Sequence, residues 1–172
     1  MIVSKKNPME EIRLGKVVLN IGAGGPGEEL ENAKSLLEGL TGREGKITKA
    51  RSKSAFGVTK GREIGVMVTL RDNEAEDFIK RVFEAKDGKI SKESFDSQGN
   101  LSIGLKEHID LPGTDYDPDI GIFGLDVAVT LERPGFRIKK RSISKDIGED
   151  HKISKKEAMR FVEKKYNVDV GE

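Results

Sequence analysis

GAGGPG, at residues 22–27, is the run best suited to chemistry. It fits G-x-G-x-x-G and lies between a β-rich segment and a helical one, the setting in which a glycine turn and a helix N-terminus cradle a pyrophosphate. Lys49 and Arg51 further on would suit a 2′-phosphate, so a small NADP-dependent enzyme is the alternative reading. Glu28 and Glu29 oppose it, because they would repel a phosphate from the first helical turn. The segments that follow also lack the crossover helices of a doubly wound sheet, and 172 residues leave little room for a substrate domain. DYDPDIGIFGLD (115–126) places Asp115, Asp117, Asp119 and Asp126 at calcium-loop spacing. Ile120 stands where that loop needs glycine, Gly121 comes one residue late, and the last ligand is Asp instead of Glu. An irregular acidic turn is the expectation there. His108 and His151 have no nucleophile near them in sequence and read as surface or hydrogen-bonded residues. The carboxylates show no acid–base spacing, and the absence of cysteine excludes thiolate metal sites and disulfides. The reading is of a protein that is not an enzyme and carries no cofactor or metal.

Charge is distributed more tellingly than any catalytic motif. The formal net charge is +1, from 31 Lys and Arg against 30 Asp and Glu. Yet residues 46–62 and 133–145 each hold six cations and no acid, which leaves 19 cations against 30 acids elsewhere. Two cationic segments on an acidic body are the footprint expected for a polyanion, with nucleic acid foremost. In the first segment Lys49, Arg51, Lys53, Lys60 and Arg62 would meet phosphates, and Ser52 and Ser54 would add hydrogen bonds. Phe56 would either stack on a base or anchor the loop to the body.

The elements that must position these residues follow from periodicity. Strands are expected at 15–22, 46–50, 64–70, 100–105 and 125–131. Helices are expected from 28 to 41, from a capping box at Asn73 and Glu76, and from a second capping box at Ser154 and Glu157. The order β-α-β-β-α-β-β-α predicts a single-domain α+β fold. Its sheet, of about five strands, is largely antiparallel, with helices on one face and the other face open for RNA. Residues 1–12 form a polar arm, 13–172 form the domain, and 51–63 form a mobile basic loop. No run approaches the roughly 20 apolar residues of a membrane span, and the N-terminus lacks the apolar core of a signal peptide. The chain therefore reads as soluble and intracellular, with no membrane partner.

KVVLNIGAGG, LTGREGKITKARSKSAFGVTKGREIGVMVTLR, SFDSQGNLSIGLKEHI and YDPDIGIFGLDVAVTLERPGFRIKKR resemble, in order, blocks of a universal large-subunit ribosomal protein family. It is the fifth protein of that subunit, the one that binds 5S ribosomal RNA. The resemblance runs from about Gly15 to Tyr166, and the closing HKISKKEAMRFVEKKY is similar to the archaeal and eukaryotic branch. It implies a cytoplasmic, ribosomal role in translation: binding 5S rRNA and anchoring it in the central protuberance. Implied partners are 5S rRNA, large-subunit rRNA, peptidyl-site tRNA, and neighbouring proteins of the protuberance and of the bridge to the small subunit.

At residue level the resemblance assigns RNA contacts to Asn20, Phe56 and Thr69. A position that is usually glutamine in bacterial members falls on Arg43. The loop from Ser52 to Ile64 resembles one that approaches peptidyl-site tRNA, which involves Phe56, Gly57, Thr59, Lys60 and Arg62. It is one residue shorter than the bacterial form. Arg133, Arg137, Lys139, Lys140 and Arg141 are expected to meet rRNA or neighbouring proteins. The residues also admit plainer readings, in which Asn20 caps the glycine turn and Thr69 is an ordinary exposed strand residue. Alternation with Val66, Val68 and Leu70 turns Thr69 towards the open face.

Overall fold

A computed structural model describes residues 7–53 and 57–171. The chain begins with a short 3-10 turn at Pro8–Glu10. It continues through β1 (Arg13–Gly22), α1 (Glu28–Thr41), β2 (Lys46–Lys49), β3 (Glu63–Leu70) and α2 (Asp72–Ala85). Then follow β4 (Lys89–Ser91), β5 (Leu101–Leu105), β6 (Leu125–Glu132), α3 (Lys155–Tyr166) and β7 (Asp169–Gly171). Five strands form one sheet in the order β2-β3-β1-β6-β5, every neighbour antiparallel. The fold is the expected single-domain α+β architecture. β4 and β7 add a small parallel pair that periodicity does not reveal, because three residues are too few to show alternation.

Strict alternation makes the sheet two-faced. Val17, Leu19 and Ile21 of β1 are buried, as are Val66, Val68 and Leu70 of β3 and Leu125, Val127, Val129 and Leu131 of β6. Against them pack Leu30, Ala33, Leu36 and Leu37 of α1 and Ala75, Phe78, Ile79, Val82 and Phe83 of α2. Burying a side chain of this size contributes roughly 1.5–3 kcal/mol, so the helical layer is committed to this one face. α3 joins that layer beside α2: Tyr166 meets Phe83 edge to face at 5.2 Å, and Lys165 pairs with Glu76.

Helix starts follow the sequence unevenly. The box at α3 forms as expected: Ser154 Oγ accepts from Glu157 N, and Glu157 accepts from Ser154 N at 2.9 Å. The box expected at Asn73 and Glu76 does not form. α2 starts two residues earlier, after Arg71 as its N-cap, with no side-chain cap, and Glu76 is drawn instead to Lys165 across the helix pair. No helix among the described residues is long and apolar enough to cross a membrane.

Candidate RNA-binding surface

The sheet's second face is built from the residues alternating with the core. Strand pairing sets Asn20 opposite Met67 on one side and Asp126 on the other. Val18 likewise sits between Thr69 and Ala128, and Lys46 stands opposite Met67. Thr48 and Gly65 face each other, and Ser102 and Gly104 of β5 complete the face beside Ala128 and Asp126. Apart from Met67 and Lys46 these are short side chains, so a ligand backbone can approach much of the sheet closely. Asn20 and Thr69 both belong to this face and are half-buried. Gly65 is needed where the face is tightest, since a Cβ there would stand 2.5 Å from the Ile21 carbonyl oxygen.

Cations rim both ends. At one end the β2–β3 connection continues as a hairpin beyond the sheet: Ala50 N donates to Arg62 O at 2.8 Å, and Gly61 N donates to Ala50 O at 2.9 Å. Arg51, Ser52 and Lys53 leave exposed on one limb, and Gly57, Thr59, Lys60 and Arg62 return exposed on the other. Ser54 and Phe56, both assigned RNA contacts on sequence grounds, lie outside the described residues. The GAGGPG turn braces this hairpin: Ala23 N and Gly24 N donate to Ile64 O. The Arg62 guanidinium lies so close over Gly25 that a Cβ there would be 2.9 Å from its Nη2.

At the other end two clefts open onto the face. One, of about 430 Å³, brings Arg43 and Arg71 to Thr69. The other, of about 400 Å³, brings Lys139 and Lys140 to Lys16, Thr130, Asn100 and Phe136. Arg137, Lys139 and Lys140 stand on a 3-10 turn at Phe136–Lys140, and Arg137, Lys139, Lys140 and Arg141 are all exposed.

Several of these cations are not as free as the sequence alone suggests. Lys49 pairs with Glu63 at 3.2 Å, and Lys140 with Glu132 at 3.7 Å. Arg43 makes a fork to Glu74 at 2.8 and 2.9 Å, whose hydrogen bonds hold the Glu74 carboxyl below its usual range. All three are exposed pairs, weak enough for a phosphate to exchange with the carboxylate.

Arg133 corrects the sequence reading. It is only 8% exposed, and its guanidinium donates to Glu10 O, Asp150 O and Lys152 O at 3.0–3.3 Å and to Glu157 Oε1 at 2.8 Å. With its donors spent inside the protein, Arg133 fastens α3 and the N-terminal arm to β6 and is not presented at the surface as the sequence reading expects. Conversely, Lys16, Lys46, Arg71 and Thr130 carry no individual assignment from the sequence, and Asp126, there only a calcium-loop candidate, joins this face through its pairing with Asn20. The signal for Lys16 was present in the Lys16, Val18, Asn20 alternation.

The catalytic decoys resolve into structure. His108 is buried, its Nδ1 accepting from Phe123 N at 3.3 Å. His151 Nε2 is 2.8 Å from the Pro134 carbonyl, and its ring meets Phe136 edge-on. The acidic segment is a turn in which the Asp117 carboxylate accepts from Asp119 N at 3.0 Å. Among the described residues no group of His, Asp and Glu could hold a metal ion.

An open sheet with cationic rims and tied-down histidines is the arrangement of a binding scaffold. The profile described as ribosomal protein L5 matches residues 7–58, and the profile for the C-terminus of the same ribosomal family matches residues 63–164. The large ribosomal subunit protein uL5 of Sulfurisphaera tokodaii is 50% identical over 169 residues, spanning 96% of each chain. That of Sulfolobus acidocaldarius is 46% identical over 170 residues, 98% of this chain and 96% of the relative. That of Pyrobaculum aerophilum is 44% identical over 172 residues, 99% and 96%. The chain belongs to the ribosomal protein L5 family. It is a ribosomal protein and not an enzyme, which sets aside the dinucleotide alternative for GAGGPG.

Proposed function

We propose that this protein, a structural constituent of the large ribosomal subunit, binds 5S rRNA on its open sheet face and holds it against the rims. The observation that carries this is the union of Asn20 and Thr69 on one uncovered face between two sets of cations. Phosphates suit the rims, where Arg43, Arg71, Lys16 and Lys139 stand. The face centre suits sugars and base edges, because the Asp126 carboxylate beside Asn20 repels phosphate but accepts from a ribose 2′-hydroxyl or a base amine. The projecting hairpin carries Phe56 as a stacking group for RNA and Lys60 and Arg62 for the backbone of peptidyl-site tRNA. Its base, hydrogen-bonded at Ala50 and Arg62, gives it a fixed departure point.

Titration with purified 5S rRNA at rising salt tests this. The log–log slope should lie near −0.7 to −0.9 per neutralised phosphate, and a flat slope overturns the reading. Asn20→Ala with Thr69→Val should weaken 5S binding about tenfold, equivalent to about 1.4 kcal/mol, at unchanged thermal stability. For the hairpin, crosslinks from Lys60 in assembled ribosomes should reach tRNA in the peptidyl site; crosslinks confined to rRNA would remove that part.

A further inference from the structure

We infer that the exposed side of α3 is a second RNA-binding surface, one that grips the phosphate backbone of an RNA duplex other than the one on the open sheet face. Lys156, Arg160 and Lys164 recur every fourth residue of α3 and are all exposed or half-exposed, so they form one stripe with successive cations about 6 Å apart along the axis. None of the three forms an ion pair among the described residues. The cations around them that have partners are spoken for: Lys165 pairs with Glu76 and Arg133 with Glu157.

Lys164 lies in the last turn, where a cation is favoured, but the N-terminal part of the stripe works against the helix that carries it. Like charges four residues apart destabilise a helix. Lys155 and Lys156 occupy its first turn, where the macrodipole favours acids. A solvated face gains nothing from that arrangement, whereas a polyanion reverses both penalties.

Its place in the fold separates it from the open face. α3 lies in the helical layer, against α2 through Phe83 and Tyr166, and α2 covers the buried side of the sheet. Beside the stripe runs a groove of about 800 Å³ between α3 and the N-terminal arm, lined by Ile12, Arg160, Phe161 and Lys164 among others. The arm contributes Glu10 and Glu11 to its lining, and the one acid from α3, Glu157, is held by Arg133. Arg160 and Lys164, unpaired among the described residues, thus make the helix side the one that suits phosphates. Regularly spaced cations without a stacking platform fit the backbone of an A-form duplex, read by shape. The protein would thus join two RNA segments through opposite layers.

The test uses the full chain saturated with 5S rRNA and a fluorescently labelled RNA hairpin unrelated to 5S sequence. A ternary complex should form. The triple substitution Lys156→Gln, Arg160→Gln, Lys164→Gln should weaken hairpin binding at least tenfold and flatten its salt slope by about 2–3, near one for each phosphate no longer neutralised. Affinity for 5S rRNA should stay within twofold, which also shows that the variant folds. Lys156→Arg with Lys164→Arg should retain hairpin binding. Hairpin binding that survives the triple change overturns the proposal, as does equal loss of 5S binding, which would make the two surfaces one. Polyglutamate competing as well as RNA would overturn the assignment to nucleic acid. The same titrations on the chain without 5S rRNA keep the two readings apart, since failure to bind 5S rRNA with hairpin binding intact would sink only the open-face reading.

Discussion

At Arg133 a single guanidinium meets three main-chain carbonyls and the Glu157 carboxylate. In sequence it looks like its neighbours Arg137 and Lys139, and only three-dimensional packing distinguishes them. Arg133→Met should lower stability in urea unfolding by about 2–4 kcal/mol, because the acceptors left behind are partly buried. RNA affinity of the folded fraction should change little, and a large affinity loss at unchanged stability would return Arg133 to the RNA surface. Glu157 is held below the usual carboxylate range, first by the Ser154 main-chain N–H and then by Ser154 Oγ and Arg133. A depressed folded-state pKa stabilises above the unfolded value and is lost as pH falls through the folded one. The stability gap between wild type and Glu157→Gln should therefore be open at neutral pH and close in acid, as pH-dependent unfolding would read. Gly65→Ala drives a Cβ into the Ile21 carbonyl and should cost about 1–3 kcal/mol. Gly25→Ala meets only the movable end of Arg62 and should cost far less, a contrast two melting curves can check.

Among the elements, those with long periodic patterns were legible. β1, β3 and β6 alternate cleanly, and α1, α2 and α3 show apolar residues at helical spacing, so their types and approximate bounds follow from residues alone. What escaped was decided by partners distant in sequence. Glu76 could have capped α2, yet Lys165 from α3 takes it. Lys49 sits in an acid-free run, yet the next strand brings Glu63 to it. For the hairpin beyond β2 and β3, the expectation is that Phe56→Ala weakens 5S binding by roughly 1–3 kcal/mol, the worth of one stacked base, with the thermal midpoint unchanged. A collapse of stability would make Phe56 an anchor for the hairpin.

Over the whole molecule, a net charge of +1 conceals cations gathered at the rims of one face and along one helix. The open face itself was foreseeable from the β-β adjacencies in element order. Its composition was legible only in part, because Asp126 and Thr130 join Asn20 and Lys16 through pairing between distant strands. That pairing has a further consequence. β1, the middle strand of the sheet, finds its partner β6 more than a hundred residues later, with Asn20 against Asp126. During synthesis the first strand made must wait, one edge unpaired, until nearly three-quarters of the chain has emerged. Contacts of such long range slow folding, so the domain should close late and cooperatively. Until β6 docks, the face proposed for RNA is incomplete, so premature capture of a half-made protein should be disfavoured by topology alone.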